Sequence, residues 1–201
     1  MLVDIFGYAL AVASALTILP QALHLIFKRR VEGLSFLMSF MGVSTMMFWS
    51  IYTFRISDLP AFISSILPLI IWLTIFVYFL KIDYTISWVP LIFSVLFWGL
   101  IALLTFSNFV TYYGIVAAGF SMLWSLPQLY KVIKEENFAG ISYLAFIALA
   151  AENLCWIFYG LLRSNPTYIY APLVQGPVSL YIAYKVFLFN RSYALANSSN
   201  M

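Results

Sequence analysis

Charge is scarce in this chain: 10 Lys and Arg with 7 Asp and Glu amount to 8% of 201 residues. A soluble domain carries about 25%, and so few charges cannot cover a surface that faces water. The net charge of +3 is spread over short connections between apolar runs, which excludes a basic patch for nucleic acid. Cysteine is nearly absent. The single copy, Cys155, sits inside an apolar run, so no disulfide can cross-link the chain and the redox compartment stays open. Also missing are a metal-ligand cluster, a Gly-rich phosphate loop and a nucleophile with a base. The sequence therefore implies no enzyme and no cofactor. The first apolar segment has neither the basic start nor the cleavage site of a signal peptide, and Asp4 stands where Lys or Arg would be expected. It reads as a retained helix.

What the chain does have is apolar length. Hydrophobic residues make up 64% of it, with a mean hydropathy of +0.99, and a bilayer is the solvent that fits. A membrane helix needs about 20 mostly apolar residues. Seven stretches qualify: 3–27, 34–54, 58–80, 86–106, 110–133, 142–162 and 167–189. The breaks between them carry Lys28-Arg29-Arg30, Arg55 with Asp58, Lys81 with Asp83, Ser107-Asn108, Lys134-Glu135-Glu136-Asn137 and Arg163-Ser164-Asn165-Pro166. The tail from Ser192 to Met201 is polar and is expected to fray. Basic residues divide unevenly between the two sides. Lys28, Arg29, Arg30, Lys81, Lys131, Lys134, Lys185 and Arg191 share one side, and Arg55 and Arg163 the other. The positive-inside rule then puts the N-terminus outside and the C-terminus in the cytoplasm. With no other targeting signal, the expected location is the cell membrane.

The chain also repeats itself. A shift of 107 residues brings Gly7 onto Gly114, Ser14 onto Ser121 and Leu19-Pro20-Gln21 onto Leu126-Pro127-Gln128. Gly33, Ser35 and Leu37 fall on Gly140, Ser142 and Leu144, and Trp49 and Tyr52 on Trp156 and Tyr159. A one-residue slip then pairs Pro60 with Pro166, each taken to precede a further helix. Three crossings invert the chain, so a second copy in the same sense needs one extra crossing. The fourth helix, with few polar residues (Ser87, Ser94, Thr105), supplies it. The expected fold is an all-α membrane protein of seven helices in a 3+1+3 plan. Its parts are a first triple-helix repeat at 1–81, a linker helix at 82–107, a second repeat at 108–190 and a cytoplasmic tail at 191–201. Parallel repeats of this kind are a transporter architecture, with the substrate site expected where the halves meet.

The paired Pro-Gln dipeptides at 20–21 and 127–128, each followed by a basic turn and a Gly-x-Ser, resemble the PQ-loop family. The 3+1+3 plan is similar to its SWEET (MtN3/saliva) sugar-transporter branch, and residues 125–159 resemble the half-size bacterial SemiSWEETs. The resemblance implies a facilitator that alternates between inward-open and outward-open states around a sugar held near mid-membrane. Pro20 and Pro127 would be its hinges, and Trp49 and Trp156 would flank the substrate. The family places an asparagine opposite those aromatics in the third and seventh helices. Here those regions read Ser64-Ser65 and Ala171-Pro172-Leu173.

The residues themselves support several of these roles. Proline inside a helix removes a backbone hydrogen bond and kinks it. Gln21 and Gln128 could satisfy the carbonyls that such kinks release, so hinges at Pro20-Gln21 and Pro127-Gln128 are expected. Glu152 falls near the middle of its span, where an ionisable group by default marks a pathway, a proton relay or a ligand contact. The alternative is a protonated acid bonded to a neighbouring helix. The spacing predicts that Glu152, Trp156 and Tyr159 share one face, matched by Thr45, Trp49 and Tyr52 in the first repeat. Asn153 beside Glu152 and Ser65 in the third helix join the candidate substrate contacts. The seventh helix carries Tyr168, Pro172, Gln175 and Ser179 in one stripe, where Gln175 either replaces the absent asparagine or joins helices. Ser14, Thr17 and Gln21, with Ser121 and Gln128, face the same pathway or permit close packing. Trp72, Trp88, Trp98 and Trp124 read as packing or belt residues, and His24 as solvated.

Three function classes follow. A passive sugar carrier would stack the aromatics on a pyranose, with Gln175, Ser65 and Thr45 on its hydroxyls. A proton-coupled amino-acid or amine carrier would use Glu152. A receptor would need a basic pocket within the membrane, which the sequence does not show. The expected partners are a small-molecule substrate, the lipid bilayer and a possible second copy of the chain, with no nucleic acid.

Overall fold

The computed structural model describes residues 1–28, 36–82, 88–104, 110–124, 126–134 and 142–198. Eight helices run through them: α1 (Leu2–Lys28), α2 (Phe36–Arg55), α3 (Leu59–Ile82), α4 (Trp88–Leu104), α5 (Val110–Trp124), α6 (Leu126–Lys134), α7 (Tyr143–Leu162) and α8 (Thr167–Ser198). The expected span 110–133 corresponds to α5 and α6, which flank residue 125, itself outside the described set. Arg29, Arg30, Gly33, Ser35 and Gly140 also lie outside it. Among the described residues, three helices contain stretches long and apolar enough to cross a membrane: Leu2–Leu19, Leu59–Lys81 and Tyr143–Leu162. Leu91–Ile101 and Val110–Leu123 are shorter apolar helices. Helix α2 is less apolar because it carries Ser39, Ser44, Thr45, Ser50 and Thr53, all buried.

Contacts divide the chain into two compact units, residues 1–121 and 122–201. In the first, α3 packs against both α1 and α2, and α4 lies against α2. Trp98 makes the α4 junction: its Nε1 donates to Ser44 Oγ at 2.9 Å and its ring stacks on Phe40 with centroids 5.7 Å apart. Trp72 is 1% exposed, and its indole lies directly on Gly42, where a Cβ would collide with it. In the second unit α8 packs against both α6 and α7, with Val132, Ile182 and Val186 in its core.

Burial reproduces the internal repeat. Leu10, Ala11 and Ser14 are buried, as are Ala117, Ala118 and Ser121. On the third helix of each unit, Ala61, Ser64, Trp72, Ile75, Phe76 and Phe79 match Tyr168, Ala171, Ser179, Ile182, Ala183 and Val186, all buried. This register is still 107 residues, so the expected slip that pairs Pro60 with Pro166 does not occur. Pro60 lies inside the first turn of α3, whereas Pro166 precedes α8. The buried face, which must meet its neighbours, sets the register; the prolines only mark the turn nearby.

The two outer turns are built alike. Ser57 (φ 57) and Ser164 (φ 50) are left-handed. Ser57 N donates to Phe54 O at 3.1 Å and Asp58 N to Thr53 O at 3.0 Å. Ser164 N donates to Leu161 O at 3.1 Å and Asn165 N to Gly160 O at 2.9 Å. These i−3 and i−5 pairs form a Schellman cap that satisfies the last carbonyls of α2 and α7. Asp58 Oδ1 then accepts from Ala61 N at 3.3 Å, and Asn165 Oδ1 from Thr167 N at 3.1 Å. One residue thus ends one helix and starts the next. The tail departs from expectation: α8 continues through Ser198, because no proline or glycine follows Pro177 and Tyr-Ala-Leu-Ala at 193–196 sustains a helix.

Candidate functional site

Helix α2 sets Thr45, Trp49 and Tyr52 at i, i+4 and i+7, which places them on one face. Thr45 is 4% exposed, and its Oγ1 is sealed without a hydrogen-bond partner. Trp49 Nε1 donates to Ser121 Oγ on α5 at 3.0 Å, and its ring meets Tyr52 edge-on at 6.0 Å. Ser14 is buried and its carbonyl accepts from Thr17 Oγ1 at 2.8 Å. Ser65 belongs to a different cluster. Its Oγ accepts from Ser50 at 3.1 Å, approaches Thr53 Oγ1 at 3.4 Å and donates to Phe62 O at 2.9 Å. That hydroxyl joins α2 to α3.

The equivalent face of α7 carries Glu152, Trp156 and Tyr159. Trp156 Nε1 donates to Glu152 Oε1 at 3.4 Å, and Glu152 Oε2 is sealed from solvent. Trp156 meets Tyr159 edge-on, with centroids 5.6 Å apart at 86°. Tyr168 of α8 closes the group, 5.8 Å from Trp156 and 5.6 Å from Tyr159. Arg163 braces it from the outer turn: its Nε donates to Tyr159 Oη at 3.0 Å and its guanidinium lies over that ring at 5.3 Å. The sequence reading missed Arg163. Its spacing, four residues after Tyr159 and seven after Trp156, was the available signal.

Asn153 does not join this group. It is 4% exposed, donates from Nδ2 to Leu149 O at 2.8 Å and lines a groove between α7 and α8 together with Pro172 and Gly176. Gln175 is half-buried and Ser179 fully buried on α8. Pro20 and Gln21 belong to α1, and Pro127 and Gln128 to α6. Their side chains, and those of His24, Trp88 and Trp124, lie outside the described set.

Each unit therefore presents an indole edge-on to a buried tyrosine. The first adds a buried threonine hydroxyl and the second a carboxyl group. As chemistry, aromatic faces can pack on apolar surface of a small solute, and a hydroxyl or a carboxyl can accept hydrogen bonds from polar groups.

Comparisons with known proteins show the family. The PQ loop repeat family matches residues 2–62. The MtN3/saliva family, described as "Sugar efflux transporter for intercellular exchange", matches residues 111–191. The sugar transporter SemiSWEET of Escherichia coli (strain UMEA 3162-1) is 34% identical over 70 residues, which is 35% of this chain and 74% of that protein. An uncharacterized protein of Methanocaldococcus jannaschii is 34% identical over 56 residues, 28% of this chain and 60% of its own length. The fold is similar to that of a eukaryotic SWEET transporter, with a TM-score of 0.75, 14% identity and coverage of 95% of this chain and 100% of the other. The relatives with a stated activity are transporters, not enzymes. With its apolar helices and these matches, the chain is an integral membrane protein that belongs to the PQ-loop/SWEET (MtN3/saliva) family of transporters.

Proposed function

We propose that this protein is an alternating-access carrier that equilibrates a mono- or disaccharide across the membrane. The observation that carries the reading is the Trp–Tyr pair repeated at one register in both units, 49/52 and 156/159, in a chain whose relative is a sugar transporter. In this reading Trp49 and Trp156 stack on the sugar, while Thr45 Oγ1, Glu152 and Gln175 receive its hydroxyls. Pro20-Gln21 and Pro127-Gln128 are the hinges. The chain crosses the bilayer seven times in a 3+1+3 plan, with repeats at 1–81 and 108–190, a linker at 82–107 and a tail at 191–201. Its N-terminus is outside and its C-terminus cytoplasmic, in the cell membrane, as the distribution of basic residues supports.

One observation favours a second reading. Glu152 is an ionisable group near mid-helix that touches the substrate-facing Trp156, as expected if a proton or an amine binds there. A proton-coupled amino-acid or amine carrier would use it so. Proteoliposome uptake of radiolabelled sugars and amino acids, with and without a proton gradient, separates the two. Gradient-independent equilibration of a sugar supports the carrier proposed first. Gradient-driven accumulation of an amino acid, with no sugar flux, overturns it.

A further inference from the structure

At one register the second unit carries an aromatic ring where the first has a methyl group. Tyr168, the second residue of α8, takes the place that Ala61 has in α3. Both are buried, at 2% and 1% exposure. Room for the larger ring comes from α7, where Gly160 stands at the register of Thr53. A Cβ on Gly160 would lie 3.1 Å from Tyr168 Cβ and 2.7 Å from Ile169 Cγ1. The large residue on α8 thus goes with a small one on α7, as close packing requires.

The outer turn holds the start of α8 in place. Asn165 Oδ1 accepts from Thr167 N at 3.1 Å, and Asn165 O accepts from Tyr168 N at 3.3 Å. From there the Tyr168 ring lies 5.8 Å from Trp156 at 44° and 5.6 Å from Tyr159 at 50°. Tyr159 itself meets Trp156 at 86°. Three rings that touch pairwise at different angles restrict how the indole can turn. Trp156 as a whole is only half-buried, so part of its surface stays uncovered.

Resting on the carrier reading above, in which Trp156 stacks on the sugar, we propose that Tyr168 is a positioning residue for selectivity. It fixes the plane of Trp156 and so determines which face of a pyranose the second unit accepts. Epimers differ in where their apolar surface lies. An axial hydroxyl occupies one face of the ring and leaves the opposite face to C–H bonds, the surface on which an indole packs. An indole held in one plane accepts one of these presentations and rejects the other. An indole free to tilt accommodates both, and selectivity, a difference between two affinities, falls. Tyr168 acts here through Trp156 and needs no contact with the sugar.

The test is equilibrium exchange of D-glucose and of D-galactose by the full chain in proteoliposomes. The native chain is expected to favour one epimer by about tenfold in KM, within the range of one aromatic contact. Tyr168→Ala should bring the two KM values to within about twofold of each other while Vmax is kept. Tyr168→Phe should behave as native, since the ring does the holding. Loss of a buried ring can unfold a helix pair, so Tyr168→Ala is also combined with Gly160→Thr. That pair copies the first unit's own filling, and melting profiles check the fold. In protein labelled with 5-fluorotryptophan, the Trp156 resonance is identified by its loss in Trp156→Phe. It should broaden or split in both alanine variants, while that of Trp49 stays unchanged. A native chain that exchanges neither sugar overturns the carrier reading and this role of Tyr168 together. Native exchange without epimer preference overturns the role of Tyr168 alone. So do alanine variants that keep the native KM ratio and a sharp Trp156 resonance, or Tyr168→Phe behaving as Tyr168→Ala.

Discussion

The indole of Trp49 is held by Ser121, a hydroxyl on another helix, at 3.0 Å. At the same place in the second repeat, Trp156 turns to Glu152, four residues back on its own helix, at 3.4 Å. One sequence signature thus has two different anchors. The first depends on how α5 packs against α2, and the second on a carboxyl group.

Replacing Ser121 by alanine removes the acceptor from a part-buried indole without creating a large void. One hydrogen bond contributes about 0.5–1.5 kcal/mol, so substrate exchange should weaken roughly two- to tenfold, mainly through KM. Trp49→Ala should abolish exchange. Equilibrium-exchange kinetics in proteoliposomes measure both, and an unchanged Ser121→Ala would remove Ser121 from the positioning of Trp49.

Glutamine at position 152 keeps an acceptor for the Trp156 indole, whereas leucine does not. For a passive carrier, Glu152→Gln should exchange sugar within about threefold of native, and Glu152→Leu should lose roughly tenfold, about 1.4 kcal/mol. Loss of all transport in Glu152→Gln, at every proton gradient applied, would favour the coupled reading.

Ser57 and Ser164 occupy left-handed positions that cost a side-chain-bearing residue about 1–2 kcal/mol. Ser164→Gly should therefore raise the melting temperature in detergent, and Ser164→Val should lower it. If both variants melt with the native chain, the cap does not limit stability.

Gly42 faces the Trp72 indole with no room for a Cβ, whereas a Cβ on Gly176 would meet Asn153 in ordinary contact at 3.7 Å. Gly42→Ala should lose about 1–3 kcal/mol by overpacking, and Gly176→Ala should be nearly neutral. Thermal unfolding of the two variants side by side tests the contrast.

Much of this was legible before any coordinates. Helix positions follow from long apolar runs, and the starts and ends of α2, α3 and α7 fall within two residues of the expected spans. The pairing of Trp49 and Trp156 with Tyr52 and Tyr159 follows from helical spacing. Other features were not legible. The bonds of the Ser65 hydroxyl to Ser50 and Phe62 are one, because a serine's partners are set by the neighbouring helix. Asn153 is next to Glu152 in sequence, but one residue turns a side chain about 100° around a helix, away from Trp156 and into the α8 crevice. Trp98 reads from sequence as either a packing or a belt residue, and its bond to Ser44 and stack on Phe40 decide for packing.

The sequence by itself determined that the chain belongs in a bilayer, that it is helical, and that it repeats at 107 residues. Each of these rests on local composition and spacing, which need no knowledge of what lies across a gap. Only the tertiary structure decided which faces meet. It kept the third helices in register where the prolines suggested a slip, gave the two tryptophans different anchors, and left Asn153 opposite Gly176. Those outcomes depend on the packing of side chains from distant segments, where a large residue on one helix requires a small one on another.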